Sequence, residues 1–230
     1  EAYENELKNR LGLGNKLLRN LTIKAQSNPK KVVFAKADHY KILKAAQFAS
    51  DEGIAHPILL GKRKKIESLI EEYSLEFNDL EIIDPKSEEE EARRLRYGQA
   101  FFEKRKRKGF TEFESIQIMR ERNHFASMMV EMGDADAMIS GATRNYKDVL
   151  KPALQTIGTE KDVSIVAGLY ILLTKRGPLF LADTTVNLNP TAEQIAEITN
   201  NVAKTVRKFK VVPKIALLSY SNFGSGQGED

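Results

Sequence analysis

Short apolar runs rich in valine and isoleucine alternate along the chain with longer segments of helical spacing. Residues 31–35 form the first such run and residues 57–60 the second, with a helix predicted from about residue 39 to residue 50 between them. This alternation is typical of a parallel β-sheet covered by helices, because each helix carries the chain back to the edge where the next strand begins. The sequence therefore predicts an α/β fold with right-handed crossovers.

The alternation continues along the chain and starts afresh near residue 140. Further strands are predicted at residues 80–83, 136–139, 163–173, 178–182 and 214–218, and further helices at residues 87–108, 112–132 and 191–208. We therefore predict a three-layer α/β/α architecture with parallel-rich sheets in two subdomains, residues 1–139 and residues 140–230. The second subdomain ends on a strand-to-loop junction, which predicts that it is incomplete at its C-terminal end.

Two of these helices have well-marked ends. Thr191 and Gln194 have the spacing of a capping box at the start of the last helix. The helix over residues 87–108 begins with glutamates and ends with the basic run 104–108, an order that complements the helix dipole. The basic run has two open interpretations: a solvated helix end, or a contact with a polyanion or another partner.

Composition excludes several classes of function. The chain has no cysteine, which excludes disulfides, thiolate metal sites and a cysteine nucleophile. Its three histidines have no metal-ligand spacing, and it contains neither a G-x-G-x-x-G nor a Walker A motif, so no metal site and no ordinary nucleotide site is predicted. A net charge of +4 is too small to require a nucleic-acid partner.

The sequence also has no feature of a membrane or secreted protein. Its longest apolar run covers the eleven residues 163–173, whereas a bilayer span needs about 20. Its first residues are acidic and polar, unlike a secretory signal. We therefore expect a cytoplasmic protein with no membrane partner.

Three polar segments follow predicted strands, at the edge where α/β proteins bind ligands. The first, residues 133–144, includes the predicted strand 136–139 and combines small residues with hydroxyls and Arg144, which can donate to phosphate or carboxylate. The second, residues 183–191, offers two asparagines before a capped helix. The third, residues 219–226, is rich in serine and glycine. Each also has a plain structural interpretation, as a small-residue turn, a helix cap or a flexible connector.

Four motifs together resemble the phosphotransacetylase (phosphate acetyltransferase) family, in order along essentially the whole chain. They are Gly-Asp-Ala-Asp-x-x-x-Ser-Gly-Ala at residues 133–142, Pro-Ala-Leu-Gln at 152–155, Asn-x-Asn-Pro-Thr-Ala-Glu-Gln at 187–194 and Leu-Ser-Tyr-Ser at 218–221. The resemblance implies a phosphotransacetylase-like (isocitrate dehydrogenase-like) fold with a cleft for coenzyme A and acetyl phosphate between two subdomains. It also implies a homodimer or higher homo-oligomer.

Other details are similar to the C-terminal phosphotransacetylase-like domain of bacterial NADP-dependent malic enzymes. They lie at residues 38–43, 119–123 and 143–146. Lys41 and Lys151 occupy positions where the catalytic family usually has arginine, and lysine lacks the forked grip of arginine on phosphate. The catalytic serine-arginine pair and aspartate of the family lie beyond Asp230, so the resemblance implies no catalytic residue within this chain.

From this resemblance we expect a fragment of the regulatory domain of a malic enzyme, which oxidatively decarboxylates malate to pyruvate, with acetyl-CoA as allosteric effector. An active phosphate acetyltransferase and a ligand-free dimerisation scaffold are the alternatives. No cofactor is expected on this chain, because NADP and a divalent metal would belong to the absent dehydrogenase part. The candidate contacts for acetyl-CoA or phosphate are Ser140, Gly141, Thr143, Arg144, Lys151, Asn187, Asn189, Pro190, Thr191, Ser219, Tyr220, Ser221 and Ser225.

Overall fold

The computed structural model describes residues 17–77, 80–174 and 176–218. The described chain divides into two compact units. The N-terminal unit consists of residues 19–160, and the C-terminal unit consists of residues 17, 18 and 161–218. The division into subdomains between residues 139 and 140 stays a prediction of the sequence.

The N-terminal unit is built on a parallel sheet, as the alternating pattern predicts. Its described strands are β1 (Lys30–Phe34), β2 (Ala55–Leu60), β3 (Glu81–Ile83) and β4 (Ala137–Ile139), and their order in the sheet is β3-β2-β1-β4. In register, Val33 of β1 lies beside Ile58 of β2 and Met138 of β4. The α/β fold class is thereby confirmed.

Helices cover both faces of this sheet, because successive strand residues point to opposite sides. Helices α2 (Tyr40–Asp51) and α3 (Arg63–Glu72) pack on the face that carries Phe34 and Leu59. Helices α4 (Glu91–Arg105) and α6 (Arg122–Glu131) pack on the opposite face. Helix α1, described over residues 17–26, precedes β1. The result is the predicted arrangement of three layers, α/β/α.

Two predicted helices are shorter than their sequence patterns indicate. The helix predicted over residues 87–108 begins at Glu91 and gives way to a 3-10 turn at Lys106–Lys108, which Gly109 ends with a positive φ of 87°. The stretch predicted over residues 112–132 divides into α5 (Glu112–Ile118) and α6. The division occurs because the Glu121 carboxylate accepts the first N–H groups of α6 and so starts a new helix.

Helices α4 and α5 approach closely at Gly98. A β-carbon added to Gly98 would lie 2.6 Å from Ile116 Cα and 2.7 Å from Ile116 Cγ1. Real β-carbon contacts are almost never so short, so the crossing of these two helices depends on the missing side chain. Glycine is required at position 98 because a side chain would not fit, and not because the backbone adopts an unusual conformation.

Helix α7 (Tyr146–Thr156) follows β4 and packs on α6. If Asp148 capped this helix, Pro152 would fall in its first turn, but α7 starts after Asn145, so Pro152 lies in its interior. Proline has no N–H, so the carbonyl of Asp148 loses its ordinary partner four residues later. Another group must satisfy that carbonyl if α7 is to remain straight.

The C-terminal unit contains an antiparallel hairpin and one long helix. The hairpin pairs β5 (Tyr170–Thr174) with β6 (Gly177–Leu181), and α8 (Ala192–Lys208) follows. The strand predicted over residues 163–173 is therefore confirmed only from Tyr170 onward. The strand predicted at residues 214–218 is wrong for the described chain, since residues 211–218 form no strand pairing there.

An apolar groove of about 360 Å³ lies within the C-terminal unit, between β6, α8 and residues 211–217. Ile198 and Val206 of α8 are buried beside it. The predicted capping box at the start of α8 is confirmed, because Thr191 and Gln194 each bond the other's backbone N–H. Across the residues that the structure describes, no helix combines the length and the apolar character that a membrane span requires.

Candidate functional site

The order of the strands places two loops side by side at the carboxyl edge of the N-terminal sheet. Strand β1 lies between β2 and β4, and the N–H of Ala35 donates to the carbonyl of Ile139 at 3.1 Å where β1 and β4 end. After β1 the chain turns to α2 on one face, and after β4 it turns to α7 on the other. Loops that separate in this way leave a crevice between them, which is where open α/β sheets bind ligands.

Ser140 is the first residue of the predicted site and lies at this crevice. Its hydroxyl donates to Oδ1 of Asn123 at 2.8 Å. The amide nitrogen of Asn123 in turn donates to the carbonyl of Asp148 at 3.2 Å, the carbonyl that Pro152 leaves without a helical partner. The second bond fixes which end of the Asn123 amide faces Ser140. Ser140 therefore meets a ligand at this loop as a hydrogen-bond acceptor.

The remaining predicted residues of this loop are exposed or half-buried. Gly141 has a φ of +113°, a conformation that favours glycine, and a turn bond joins the N–H of Arg144 to its carbonyl at 3.4 Å. Thr143 and Arg144 are exposed just before α7, and Lys151 is exposed on that helix. These groups are accessible to an anion at the crevice.

An ion pair at the same edge of the sheet was not among the predicted ligand contacts, although both of its residues lie in the segments that are similar to malic enzymes. Asp38 follows β1, and Arg122 begins α6 and donates to both of its carboxylate oxygens at 2.7 and 3.1 Å. Burial alone would raise the pKa of Asp38, but the Arg122 guanidinium outweighs it and holds that pKa below its ordinary value. The pair spans 84 positions of sequence, so only the fold brings it together.

His124 joins α6 to α7 through its two ring nitrogens. Nδ1 lies 3.1 Å from the carboxylate of Glu121, and Nε2 lies 3.0 Å from the amide oxygen of Gln155. Burial would raise the pKa of Glu121, but hydrogen bonds from His124 and from the α6 backbone hold it below its ordinary value. His124 is therefore a structural link behind the Ser140 loop.

The basic run at the end of α4 contacts another helix of the same unit. Arg105 donates to the carbonyls of Leu154 and Gln155 at 2.6 Å each, and Lys104 donates to the carbonyl of Thr156 at 2.7 Å. These are the carbonyls at the end of α7 that have no partner within the helix. For Lys104 and Arg105, the contact is thus with the C-terminus of α7.

A second cleft, of about 560 Å³, opens at the amino edge of the same sheet. Arg96 and the hydroxyl of Tyr97 both donate to the carboxylate of Asp134 there. Burial, followed by the bond to Asp134, raises the pKa of Tyr97. Arg96, Tyr97 and Asp134 thus already bind one another, and open α/β sheets bind ligands at the opposite edge, so the carboxyl edge is the better candidate site.

Of the predicted residues of the C-terminal unit, Asn187 contacts Asp183. Its carboxylate accepts from the N–H of Gly168 and from that of Asn187, at 2.7 Å each, and from the Asn187 amide at 2.5 Å. The same amide donates to the carbonyl of Val166 at 2.9 Å. Asn187 therefore fixes the loop that follows β6, and both of its amide bonds are made within the unit.

Gly168 allows this arrangement because a side chain there has no room. An added β-carbon would lie 2.6 Å from Oγ1 of Thr185 and 2.9 Å from that of Thr184. Beyond this loop, Asn189 is exposed and Pro190 half-buried, and Thr191 is engaged in the capping box of α8. Ser219, Tyr220, Ser221 and Ser225 lie outside the described residues, and the described part of the chain contains no group of three or more acidic or histidine side chains suited to a metal ion.

We expect the Asp183 carboxyl to titrate with a midpoint of about 2. Partial burial would raise its pKa, but backbone N–H donors, led by those of Gly168 and Asn187, lower it from the ordinary 3.8. A lowered pKa in the folded state stabilises the fold above the unfolded pKa, so this contribution is lost as the pH falls from about 4 to about 2. Carboxyl carbon shifts recorded by NMR across this range measure the midpoint, and a midpoint near 4 would contradict the assignment.

Comparison with known proteins places the fold and the motifs in one family. The family model for phosphate acetyl/butaryl transferase matches residues 16–230. The phosphate acetyltransferase of Clostridium acetobutylicum is 36% identical over 212 residues, which are 89% of this chain and 63% of that protein. The NADP-dependent malic enzyme of Salmonella typhimurium is 35% identical over 230 residues, which are 98% of this chain and 30% of that protein.

Solved structures agree with these sequence matches. The EutD phosphotransacetylase from Staphylococcus aureus superimposes with a TM-score of 0.80 at 30% identity, over 94% of this chain and 64% of its own. A phosphotransacetylase from Streptococcus pyogenes gives 0.81 at 33% identity, over 93% and 64%. This chain thus spans less than two thirds of these relatives. The sequence motifs, the parallel sheet and the matches together show that the chain belongs to the phosphate acetyl/butaryl transferase family.

Proposed function

We propose that this chain is part of the phosphotransacetylase-like regulatory domain of an NADP-dependent malic enzyme, and that it binds acetyl-CoA without transferring the acetyl group. The observation that carries the proposal is the extent of the match. The malic enzymes of Salmonella typhimurium and Haemophilus influenzae match 98% of the chain and that of Escherichia coli 92%. The acetyltransferases match 89–93%, and the family model begins at residue 16. The similarity to the malic enzyme thus includes an N-terminal stretch outside the transferase family model.

The residues of the candidate site favour a binding role. Lys151 is exposed on α7, where it offers a single compact charge and lacks the forked grip of arginine on the phosphate of acetyl phosphate. The hydroxyl proton of Ser140 is already donated to Asn123. Arg144 and Thr143 supply the donors for an anionic ligand. Such groups suit recognition of a phosphate-bearing ligand more than catalysis of acetyl transfer.

Regulation would follow from a difference in affinity between two arrangements of the oligomer. Acetyl-CoA would favour the arrangement that it binds more tightly, and the shared subunit contacts would pass that preference to the dehydrogenase part. NADP and a divalent metal would act in that part. A homodimer or larger homo-oligomer in the cytoplasm is part of this proposal.

A second candidate is an active phosphate acetyltransferase, which is favoured by the relatives of that name. In that reaction the thiolate of coenzyme A attacks the carbonyl carbon of acetyl phosphate, a new C–S bond forms, and the C–O bond to phosphate breaks. Inorganic phosphate leaves with the electron pair. Cationic and hydroxyl groups would stabilise the developing negative charge.

Titration of acetyl-CoA into the purified chain, and into the full-length protein that contains it, separates these candidates. We expect saturable binding by calorimetry and no acetyl-CoA formation from acetyl phosphate and coenzyme A. Arg144→Ala should weaken binding about tenfold, because a charge-assisted hydrogen bond contributes about 1.5–3 kcal/mol. Arg107→Ala, which removes an exposed arginine outside the site, is the matched control and should leave the affinity unchanged.

Each other result has a definite meaning. Acetyl transfer by the full-length protein would contradict the sensor and support the acetyltransferase. Absence of binding to both proteins would contradict both candidates and leave a dimerisation scaffold. Binding by the full-length protein alone would support the sensor and show that residues beyond this chain complete its site.

A further inference from the structure

Among the described residues, three cationic side chains converge on the carboxylate of Asp38. Arg122 donates to both carboxylate oxygens. Lys36 Nζ lies 3.7 Å from Oδ1, and Lys65 Nζ lies 3.8 Å from Oδ2. The side chain of Asp38 is 9% exposed, whereas those of Lys36 and Lys65 are 34% and 56% exposed. A buried carboxylate thus holds two accessible ammonium groups, one beside each of its oxygens.

Asp38 does not satisfy these two lysines. Each ammonium lies beyond the 2.7–3.2 Å of an ordinary N–H···O hydrogen bond, and the charge of Asp38 is already balanced by the bidentate Arg122. The local sum is one negative and three positive charges. Both ammonium groups therefore keep donors for a ligand, and an anion that contacts both would offset the excess positive charge.

The surrounding helix ends add to the positive potential. Helices α2 and α3 lie on the same face of the sheet, and both begin at its carboxyl edge. Within the described chain, neither N-cap side chain, that of His39 or that of Lys62, bonds to its helix. The first turn of α3 holds Arg63, Lys64 and Lys65 and no acidic residue, although the dipole makes cations unfavourable at that end.

Nearby anionic and cationic groups do not remove this excess. Arg63 Nη1 lies 3.8 Å from Oε1 of Glu67, and Arg63 also donates to the carbonyl of Ile82 at 2.8 Å. The Arg63–Glu67 pair adds one positive and one negative charge, so it leaves the net charge unchanged. Lys62 and Lys64 are exposed at the start of α3. The cluster therefore has a net positive charge around the fixed Asp38–Arg122 pair. It lies where β1 and β2 end and where α2 and α3 begin.

We propose that Lys36 and Lys65 bind the diphosphate group of a small molecule at this edge of the sheet. The two ammonium groups are separate point charges beside different oxygens of a fixed carboxylate. They therefore match an anion with two charge centres better than they match a single phosphate. The uncapped N-termini of α2 and α3 supply further N–H donors to such an anion. The inference concerns this cluster alone and does not rest on acetyl-CoA being the effector.

Calorimetric titration of the whole chain with inorganic pyrophosphate tests the site. We expect binding that weakens as salt is raised, and at least about a tenfold loss of affinity in the double variant Lys36→Gln/Lys65→Gln, since each charged hydrogen bond contributes about 1.5–3 kcal/mol. The control is Lys24→Gln/Lys108→Gln, which lowers the net charge equally at exposed lysines outside the cluster. Thermal unfolding of both variants verifies that they are folded.

Four results would overturn the proposal: no binding of pyrophosphate, no effect of the Lys36/Lys65 change, an equal loss in the control, or phosphate binding as tight as that of pyrophosphate. A comparison with ADP identifies the source of the diphosphate. Tighter binding of ADP supports a nucleotide-bearing ligand, and equal binding supports the free anion. Either of these outcomes supports the site and leaves the acetyl-CoA titration as a separate test.

Discussion

Replacing Asn123 with alanine is expected to lower the free energy of unfolding by about 3 kcal/mol. The side chain is 3% exposed and makes two hydrogen bonds, one from the Ser140 hydroxyl and one to the carbonyl of Asp148. Its loss leaves both groups without these partners and opens a small cavity, and each effect costs about 1–3 kcal/mol. Urea unfolding followed by circular dichroism measures the change.

A double-mutant cycle with Pro152 tests the cause. Pro152→Ala restores an N–H that can donate to the Asp148 carbonyl, so Asn123→Ala should cost about 1 kcal/mol less in that background. Asn145→Ala is the matched control, because the side chain of this residue makes no capping bond at the start of α7; it should change stability by no more than about 0.5 kcal/mol. Equal losses at Asn123 and Asn145, or strict additivity with Pro152, would refute the assignment.

Replacing Gly98 with alanine is expected to destabilise the N-terminal unit by about 2 kcal/mol. Alanine is favoured over glycine in a helix by about 1 kcal/mol, so a surface position would gain stability. At Gly98 the added carbon would meet the backbone of Ile116 at 2.6 Å, and α4 and α5 must move apart. Overpacking of this kind costs about 1–3 kcal/mol and often more where backbone must shift.

Thermal unfolding of the Gly98→Ala and Gln99→Ala variants separates the effect of packing on stability from the effect of helix propensity. Gln99 is the next residue of α4 and is exposed, so its change should be within about 0.5 kcal/mol of neutral. Stabilisation by Gly98→Ala would show that the helices have room for a side chain. A larger loss for Gly98→Val than for Gly98→Ala is expected on the same grounds.

The architecture could be predicted because its signals are local. Alternating apolar and helical segments give the order of the strands along the chain, and the capping box of Thr191 and Gln194 marks the start of α8. Local signals also explain two errors. Residues 163–169 and 214–218 are apolar enough for strands, but a strand forms only where another pairs with it, and apolarity does not specify the partner.

The candidate site was only partly predictable, since its bonds join distant parts of the sequence. The small residues from Ser140 to Arg144 drew attention because they follow a strand. Nothing local indicates that Arg122 reaches Asp38, or that Asn123 replaces the N–H that Pro152 lacks. A proline inside a helical pattern is the one available signal, because it leaves a carbonyl that some distant donor must satisfy.

Helix α7 is held by Asn123 in its first turn and by Lys104 and Arg105 at its end. Because these bonds hold both ends of α7, the helix can move only if they break or if its neighbours move with it. A ligand that displaces the loop before α7 would therefore also displace the end of α4, which is bonded to the end of the same helix.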